Sequence, residues 1–283
     1  MPPEKPALEA MHRENMLILA KTYPVPSVKY NETTCVAGIN EDGLMRRLFP
    51  IQFRFMDGEK QFKKWQWLEA KIKKAPGDHR PESHIIDPES IVCRSIEGPE
   101  KQWERRRTWI DRIPAFNSLE LLEESRRINN ITLALLRPLE MIGLEIRPEK
   151  NPKWTRAEIN SLLKHERQGD LFNPDDRTKA PLEKIPFAFH YSYKAMSHDG
   201  RPREYSHKII DWEICELYRR CRRDYDRRWE KFFRDRLEKD LFERDLSLLM
   251  GTMHRFPDQW LIISLIYPPK KPPEAHRQSR LFF

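Results

Sequence analysis

Phe187-Ala188-Phe189-His190-Tyr191-Ser192-Tyr193-Lys194 is the stretch whose reading decides the fold. Side chains alternate between the two faces of a strand, so Phe187, Phe189, Tyr191 and Tyr193 share an apolar face and Ala188, His190, Ser192 and Lys194 a mixed one. Beyond the turn-rich residues 197–206 the period changes: Ile210, Ile214, Leu217 and Cys221 recur at helical spacing. That spacing predicts a helix over 207–221 with Ser206 as its N-cap. Two further strands are predicted, at 246–252 and 260–267. The second reads Trp-Leu-Ile-Ile-Ser-Leu-Ile-Tyr, the most apolar run in the chain, and is expected to be a central strand stopped by Pro268 and Pro269. The C-terminal part therefore predicts a mixed β-α-β-β layer.

The N-terminal part has a different rhythm. Residues 16–23, 33–39 and 44–49 read as strands, with Glu41-Asp42-Gly43 as the hairpin turn before the third. Residues 52–55, 67–72 and 90–96 add further strands, and so many short strands between Pro and Gly turns predict a small barrel of the SH3-like or oligonucleotide-binding kind. A basic helix follows at 99–113, then a helix at 119–128 capped by Asn117 or Ser118. Residues 131–146, broken at Pro138, read as one or two strands. Thr155-Arg156-Ala157-Glu158 is a capping box opening a helix to about Arg167, and 169–181 is a polar connector. The class expected is α+β. Its parts are a flexible tail (1–15), a small β-barrel (16–98), a helical and mixed connecting region (99–181), an α+β domain (182–268) and a second tail (269–283).

At 283 residues and 39% apolar content the chain can bury a sizeable core. No apolar run approaches a membrane span and the N-terminus lacks an apolar signal core, so a cytoplasmic protein with no membrane partner is expected. The cysteines at 35, 93, 215 and 221 form no Cys-x-x-Cys pair and no histidine lies near them at zinc spacing. Reduced structural thiols, no resident metal and no cofactor are the expectation. A net charge of +8 favours anionic partners, DNA first and RNA second.

Residues 219–236 carry nine Lys or Arg against four acids. Arg219, Arg220, Arg222, Arg223, Arg227 and Arg228 lead that run, which reads either as a phosphate-tracking surface or as a solvated helix face with local ion pairs. In the barrel region Arg46, Arg47, Lys63 and Lys64 interleave with Phe49, Phe53, Phe55, Phe62, Trp65 and Trp67. Nucleic-acid barrels use such a mixture, because cations hold phosphates and rings stack on bases; the same pattern arises when a barrel buries its aromatics and exposes its cations. Asp78-His79-Arg80-Pro81-Glu82-Ser83 concentrates ionisable groups in one loop, where binding residues are often presented and where solvated turns are also common. His207, Asp211 and Glu213 invite a catalytic reading, a nuclease site holding Mg²⁺ or Mn²⁺ that His190 would complete; the competing reading is capping and surface charge. Glu213 lies well round the predicted helix from the other two. No phosphate-binding Gly loop, dinucleotide fingerprint or Gly-x-Ser-x-Gly elbow is present.

The last residues, Gln278-Ser279-Arg280-Leu281-Phe282-Phe283, resemble the bacterial sliding-clamp-binding peptide, whose pattern is Gln-Leu-Ser/Asp-Leu-Phe. Gln278, Leu281 and Phe282 match, while Ser279 and Arg280 depart from it. The resemblance implies a clamp as a partner; the other reading is an anchor that docks on the protein itself. The expectation is a DNA-binding protein tethered to the clamp, with a metal-dependent nuclease and a protein-interaction subunit as alternatives.

Overall fold

The computed structural model describes residues 10–163 and 182–271. The tail residues Gln278, Leu281 and Phe282, the connector at 169–181 and most of the first tail lie outside the described residues.

The first half closes into a barrel. Its strands are β1 (His12–Lys21), β3 (Asn31–Asn40), β4 (Met45–Ile51), β6 (Ser83–Ile86) and β5 (Gln66–Lys74), in that spatial order, and β1 pairs back onto β5 to close the ring. The short β2 (Val25–Ser27) pairs with β3 and β7 (Val92–Ile96) with β5. The β3–β4 turn uses Gly43 at φ +85°, a conformation that costs glycine little. Residues 53–55, expected as strand, form a 3₁₀ turn that drops Phe53 into the barrel interior. The expected α+β class with an N-terminal barrel is what the chain adopts.

The second half is a seven-stranded sheet in the order β10, β11, β12, β14, β13, β9, β8. It takes β8 (Ala115–Phe116), β9 (Leu133–Leu136) and β10 (Glu140–Pro148) from the region expected to connect, and β11 (Phe187–Met196), β12 (Pro202–Ile209), β13 (Ser247–Thr252) and β14 (Trp260–Ile266) from the C-terminal part. Three strands of the expected connecting region thus belong to this sheet. The residues that β14 places between two neighbours are its apolar run, as a central strand requires.

Among the described residues five helices accompany the sheets: α1 (Glu100–Ile110), α2 (Leu119–Asn129), α3 (Arg156–Leu163), α4 (Trp212–Tyr225) and α5 (Trp229–Arg234), the last continuing as a π-helix over Asp235–Asp240. Ser118 caps α2 by accepting from the Leu121 amide. The Thr155 box closes as expected, the Thr155 amide donating to Glu158 at 2.7 Å and the Glu158 amide to the Thr155 hydroxyl at 3.3 Å.

The helix expected over 207–221 begins later. His207 and Ser206 sit on β12, which forms a hairpin with β11 through a turn containing Gly200 at φ +76°. The reason is visible in the register: Tyr205, His207 and Ile209 lie opposite Tyr193, Tyr191 and Phe189, so the period-two alternation runs on to Ile209 before the helical period starts. Asp211 is the actual N-cap of α4, accepting from the Glu213 amide at 2.6 Å.

These pieces stack in layers. Met16, Ile18, Val36, Leu48, Phe62, Leu68 and Ile72 fill the barrel. The alternate residues of the same strands, Leu17, Leu19, Ala37 and Ile39, face outward onto Leu133, Leu135, Leu249 and Ile263 of the second sheet, with Trp65 and Trp103 between them. The far face of that sheet, with Phe189, Tyr191, Tyr193, Met250 and Ile262, is covered by α4 and α5 through Ile214, Tyr218, Trp229 and Phe233. The central strands β9, β13 and β14 are buried on both faces, so they need no polar alternation. No helix among the described residues is long and apolar enough to cross a membrane.

Candidate functional site: a basic groove and an interdomain cleft

The α4 stripe of Ile214, Tyr218 and Cys221 faces the sheet, which forces the arginines between them outward. Arg219, Arg220, Arg222 and Arg223 line a groove of about 1190 Å³ with Lys153, Lys184 and Trp154, and with the acids Glu183, Glu213 and Glu216. Part of this charge is matched locally. Arg219 pairs with Glu216 at 3.0 Å and Glu183 at 3.2 Å, Arg223 with Asp224 at 2.9 Å, and Arg222 with Asp226 at 3.9 Å. Further along, Lys231 pairs with Asp235 at 3.1 Å and Arg234 with Glu230 at 2.8 Å. Arg220, Arg227 and Arg228 are exposed and make no ion pair among the described residues. Local ion pairs therefore match part of the basic run, and its excess positive charge sits at these three positions.

The barrel cations divide differently. Lys63 is exposed and Arg46 pairs with Glu14 at 2.8 Å. Arg47 and Lys64, expected as phosphate contacts, are turned inward. Arg47 is 3% exposed and donates to the Thr132 carbonyl at 3.1 Å. Lys64 donates to the Ser264 hydroxyl and the Leu265 carbonyl, each at 2.8 Å. Both reach from the barrel into the second sheet, so they join the two halves and present no charge to a phosphate backbone. Phe53, Phe62 and Trp65 are buried, while Phe49 and Phe55 remain exposed.

The expected His207, Asp211 and Glu213 constellation is not assembled. His207 is held at 2.8 Å by the Tyr193 hydroxyl, and its pKa is pushed down to about 4 by burial and then by His190, which keeps the ring neutral. Asp211 caps α4 from a fully buried position, and burial raises its pKa against the opposing pull of Lys64. Glu213 is exposed and 3.6 Å from the Lys64 ammonium. Among the described residues the grouping that could hold a metal ion is a different one, Asp78, His79 and His254.

That grouping rests on the Asp78–Ser83 loop. The Lys74 ammonium gathers the loop by donating to the carbonyls of Asp78, Arg80 and Ser83 at 3.1, 2.6 and 3.2 Å. Arg80 is buried; it donates to both Asp78 carboxylate oxygens at 2.9 and 2.6 Å and to the Thr252 carbonyl at 2.9 Å. Partial burial alone would raise the Asp78 pKa, but the hydrogen bonds from the Arg80 side chain and backbone prevail and hold it well below the carboxylate range. His254, on the loop after β13, places Nδ1 at 3.3 Å from Asp78 Oδ1, and its ring stacks on that of His79 at 5.3 Å. Glu82 binds the opposite side, accepting from the Thr132 amide at 2.9 Å and hydroxyl at 2.7 Å. The loop is therefore bound to the second sheet at two points.

Asp78, Arg80 and His254 line a cleft of about 860 Å³ between the barrel and the second sheet. Arg47, His84 and Thr252 line it too. Arg47 Nε and Thr252 Oγ1 are buried and have no hydrogen-bond partner among the described residues, which is costly for a polar group unless something else satisfies it.

Residues 115–283 match the family described as a domain of unknown function, DUF8757, and residues 12–112 match another so described, DUF8758. The first match covers more than half of the chain. The chain belongs to the DUF8757 family. No curated protein matches it. The DUF8757 part holds the whole basic groove from Pro152 to Arg223. The cleft and the ligand grouping at its edge are shared: Asp78 and Arg80 of the lining and His79 of the grouping come from the DUF8758 part, and His254 from the DUF8757 part. Sequence reading singled out the loop at Asp78 but gave no reason to join it to His254, 176 residues away. Only the packing of barrel on sheet brings the two together.

Proposed function

We propose that the protein binds nucleic acid, DNA in the first place, through the groove beside α4. The observation that carries this reading is a groove lined by Arg219, Arg220, Arg222, Arg223, Lys153 and Lys184 around Trp154, with Arg220, Arg227 and Arg228 free of carboxylate partners among the described residues. A duplex or single strand would bring phosphates to the arginines, while the indole supplies a flat apolar surface that bases can stack on. Binding of this kind releases counterions, so log affinity is expected to fall linearly with log salt. Changing Arg220, Arg223, Arg227 and Arg228 to Glu should lower affinity for labelled DNA of any sequence by at least about tenfold and flatten the salt slope. Fluorescence anisotropy of single- and double-stranded DNA and of RNA over a salt series measures both. Binding that ignores salt and all four substitutions would remove the proposal.

Recruitment to a bacterial sliding clamp through Gln278, Leu281 and Phe282 belongs to the same reading. An extended peptide places Leu281 and Phe282 in an apolar pocket and lets the Gln278 amide orient it, with an affinity on the order of micromolar for so small a contact. A labelled peptide covering 270–283 is expected to bind purified clamp and to lose most of that binding on Leu281→Ala/Phe282→Ala. Equal binding by both peptides, or by neither, counts against it.

A further inference from the structure

We propose that Asp78, His79 and His254 form a binding site for one divalent transition-metal ion at the edge of the interdomain cleft. The ligand atoms of the three side chains lie within 4.8 Å of one another. Two imidazoles with one carboxylate suit zinc, cobalt, nickel, manganese or iron, whereas magnesium and calcium favour oxygen donors throughout. Metal–ligand bonds of about 2.0–2.1 Å put neighbouring donors of a tetrahedral site roughly 3.4 Å apart. The 3.3 Å between Asp78 Oδ1 and His254 Nδ1 already matches that spacing. His79 is exposed, so its ring can close the remaining distance by a side-chain rotation, while the Asn130 side chain holds its backbone carbonyl at 3.1 Å.

The surroundings are those of a supported ligand. Arg80 fixes the Asp78 carboxylate in place and is itself anchored on the Thr252 carbonyl, two residues before His254. Such hydrogen bonds from behind orient a ligand before the metal arrives. Arg80 also offsets the charge of Asp78, which lowers affinity for any cation and places the burden of binding on the two imidazoles. Three protein ligands leave at least one coordination position open, as in catalytic rather than structural sites. Asp78 and His254 line the cleft, and so do Arg47 and Thr252, whose buried Nε and Oγ1 have no hydrogen-bond partner among the described residues. The site joins the two halves of the protein, so an ion bound in it would also hold the loop after β13 against the barrel.

The test uses the full chain, purified and dialysed against chelator, and needs no assumption about activity. Titration with Co²⁺ is expected to give visible d–d absorption saturating at one ion per chain, with Zn²⁺ displacing it and raising the melting temperature. His79→Ala and His254→Ala should each weaken Co²⁺ binding at least tenfold and abolish the Zn²⁺-dependent rise. Both residues are exposed, so neither change threatens folding, and His12→Ala, at an exposed histidine remote in sequence, should leave binding intact. The proposal is overturned if the wild-type chain gives no absorption and no thermal shift, or if it binds metal and both His79→Ala and His254→Ala bind it equally well.

Discussion

Phe233→Ala is expected to destabilise the protein by about 3–5 kcal/mol, read as a fall in denaturant midpoint at unchanged slope. Phe233 is fully buried. Its ring lies 4.8 Å from Phe189 on β11, 5.8 Å from Trp229 and 6.2 Å from Tyr218 on α4, centroid to centroid. It therefore fills the junction between the sheet and the corner where α4 turns into α5. Truncation would remove most of an aromatic side chain from a site whose three neighbours are rings and cannot collapse into the space. Phe232, half-buried and stacked on the exposed Tyr225, is the internal comparison and should cost much less on the same change. A Phe233→Ala chain within about 1 kcal/mol of wild type would mean that the corner is not docked on the sheet.

The strands that sequence reading finds are those whose period is long enough to count. β11 shows four aromatics on one face, and β14 a seven-residue apolar run between two neighbours. β6 has only four residues, Ser83–Ile86, and its neighbours Asp78–Glu82 read as loop, so nothing in the residue types marks the strand. The start of α4 was displaced because Ile210 fits the helical spacing of Ile214 and Leu217 while Tyr205, His207 and Ile209 fit strand spacing equally well. The tie is resolved by pairing with β11, a tertiary fact. The same displacement gave His207 a helical partner in Asp211 that it does not have. Arg47 and Lys64 show the opposite limit: composition identifies cations among aromatics, but only the docking of barrel on sheet determines which cations remain in water. Asp78 and Arg80 were legible as a local concentration of charge, and His254 was not, because it belongs to the other half of the chain.

Lys64→Met is expected to cost about 3–5 kcal/mol, since removing one member of a buried charged group leaves the other uncompensated. Lys64 donates to the Ser264 hydroxyl at 2.8 Å, Ser264 is fully buried and hydrogen-bonded to Asp211, and Asp211 accepts from the Glu213 amide. This chain of contacts runs from the barrel through β14 to the start of α4, beside the backbone bond from the Tyr23 amide to the Ile210 carbonyl at 2.9 Å. Replacing both ends, Lys64→Met with Asp211→Asn, should be less damaging than the sum of the single changes, with a coupling of about 0.5–3 kcal/mol, because asparagine keeps the helix cap without the charge. Acidity provides a second measure. Burial raises the Asp211 pKa and Lys64 lowers it, so removing Lys64 raises it further. A carboxyl whose folded pKa lies above its unfolded value takes up protons on folding, and its unfavourable contribution grows as pH rises through the folded pKa and disappears as pH falls below the unfolded one. The deficit of Lys64→Met relative to wild type should therefore shrink as the solution is acidified from neutrality, and that pH dependence should vanish in the double variant. Strict additivity of the two substitutions, or a deficit that grows with acidity, would show that Lys64 and Asp211 do not act as one unit across the interface.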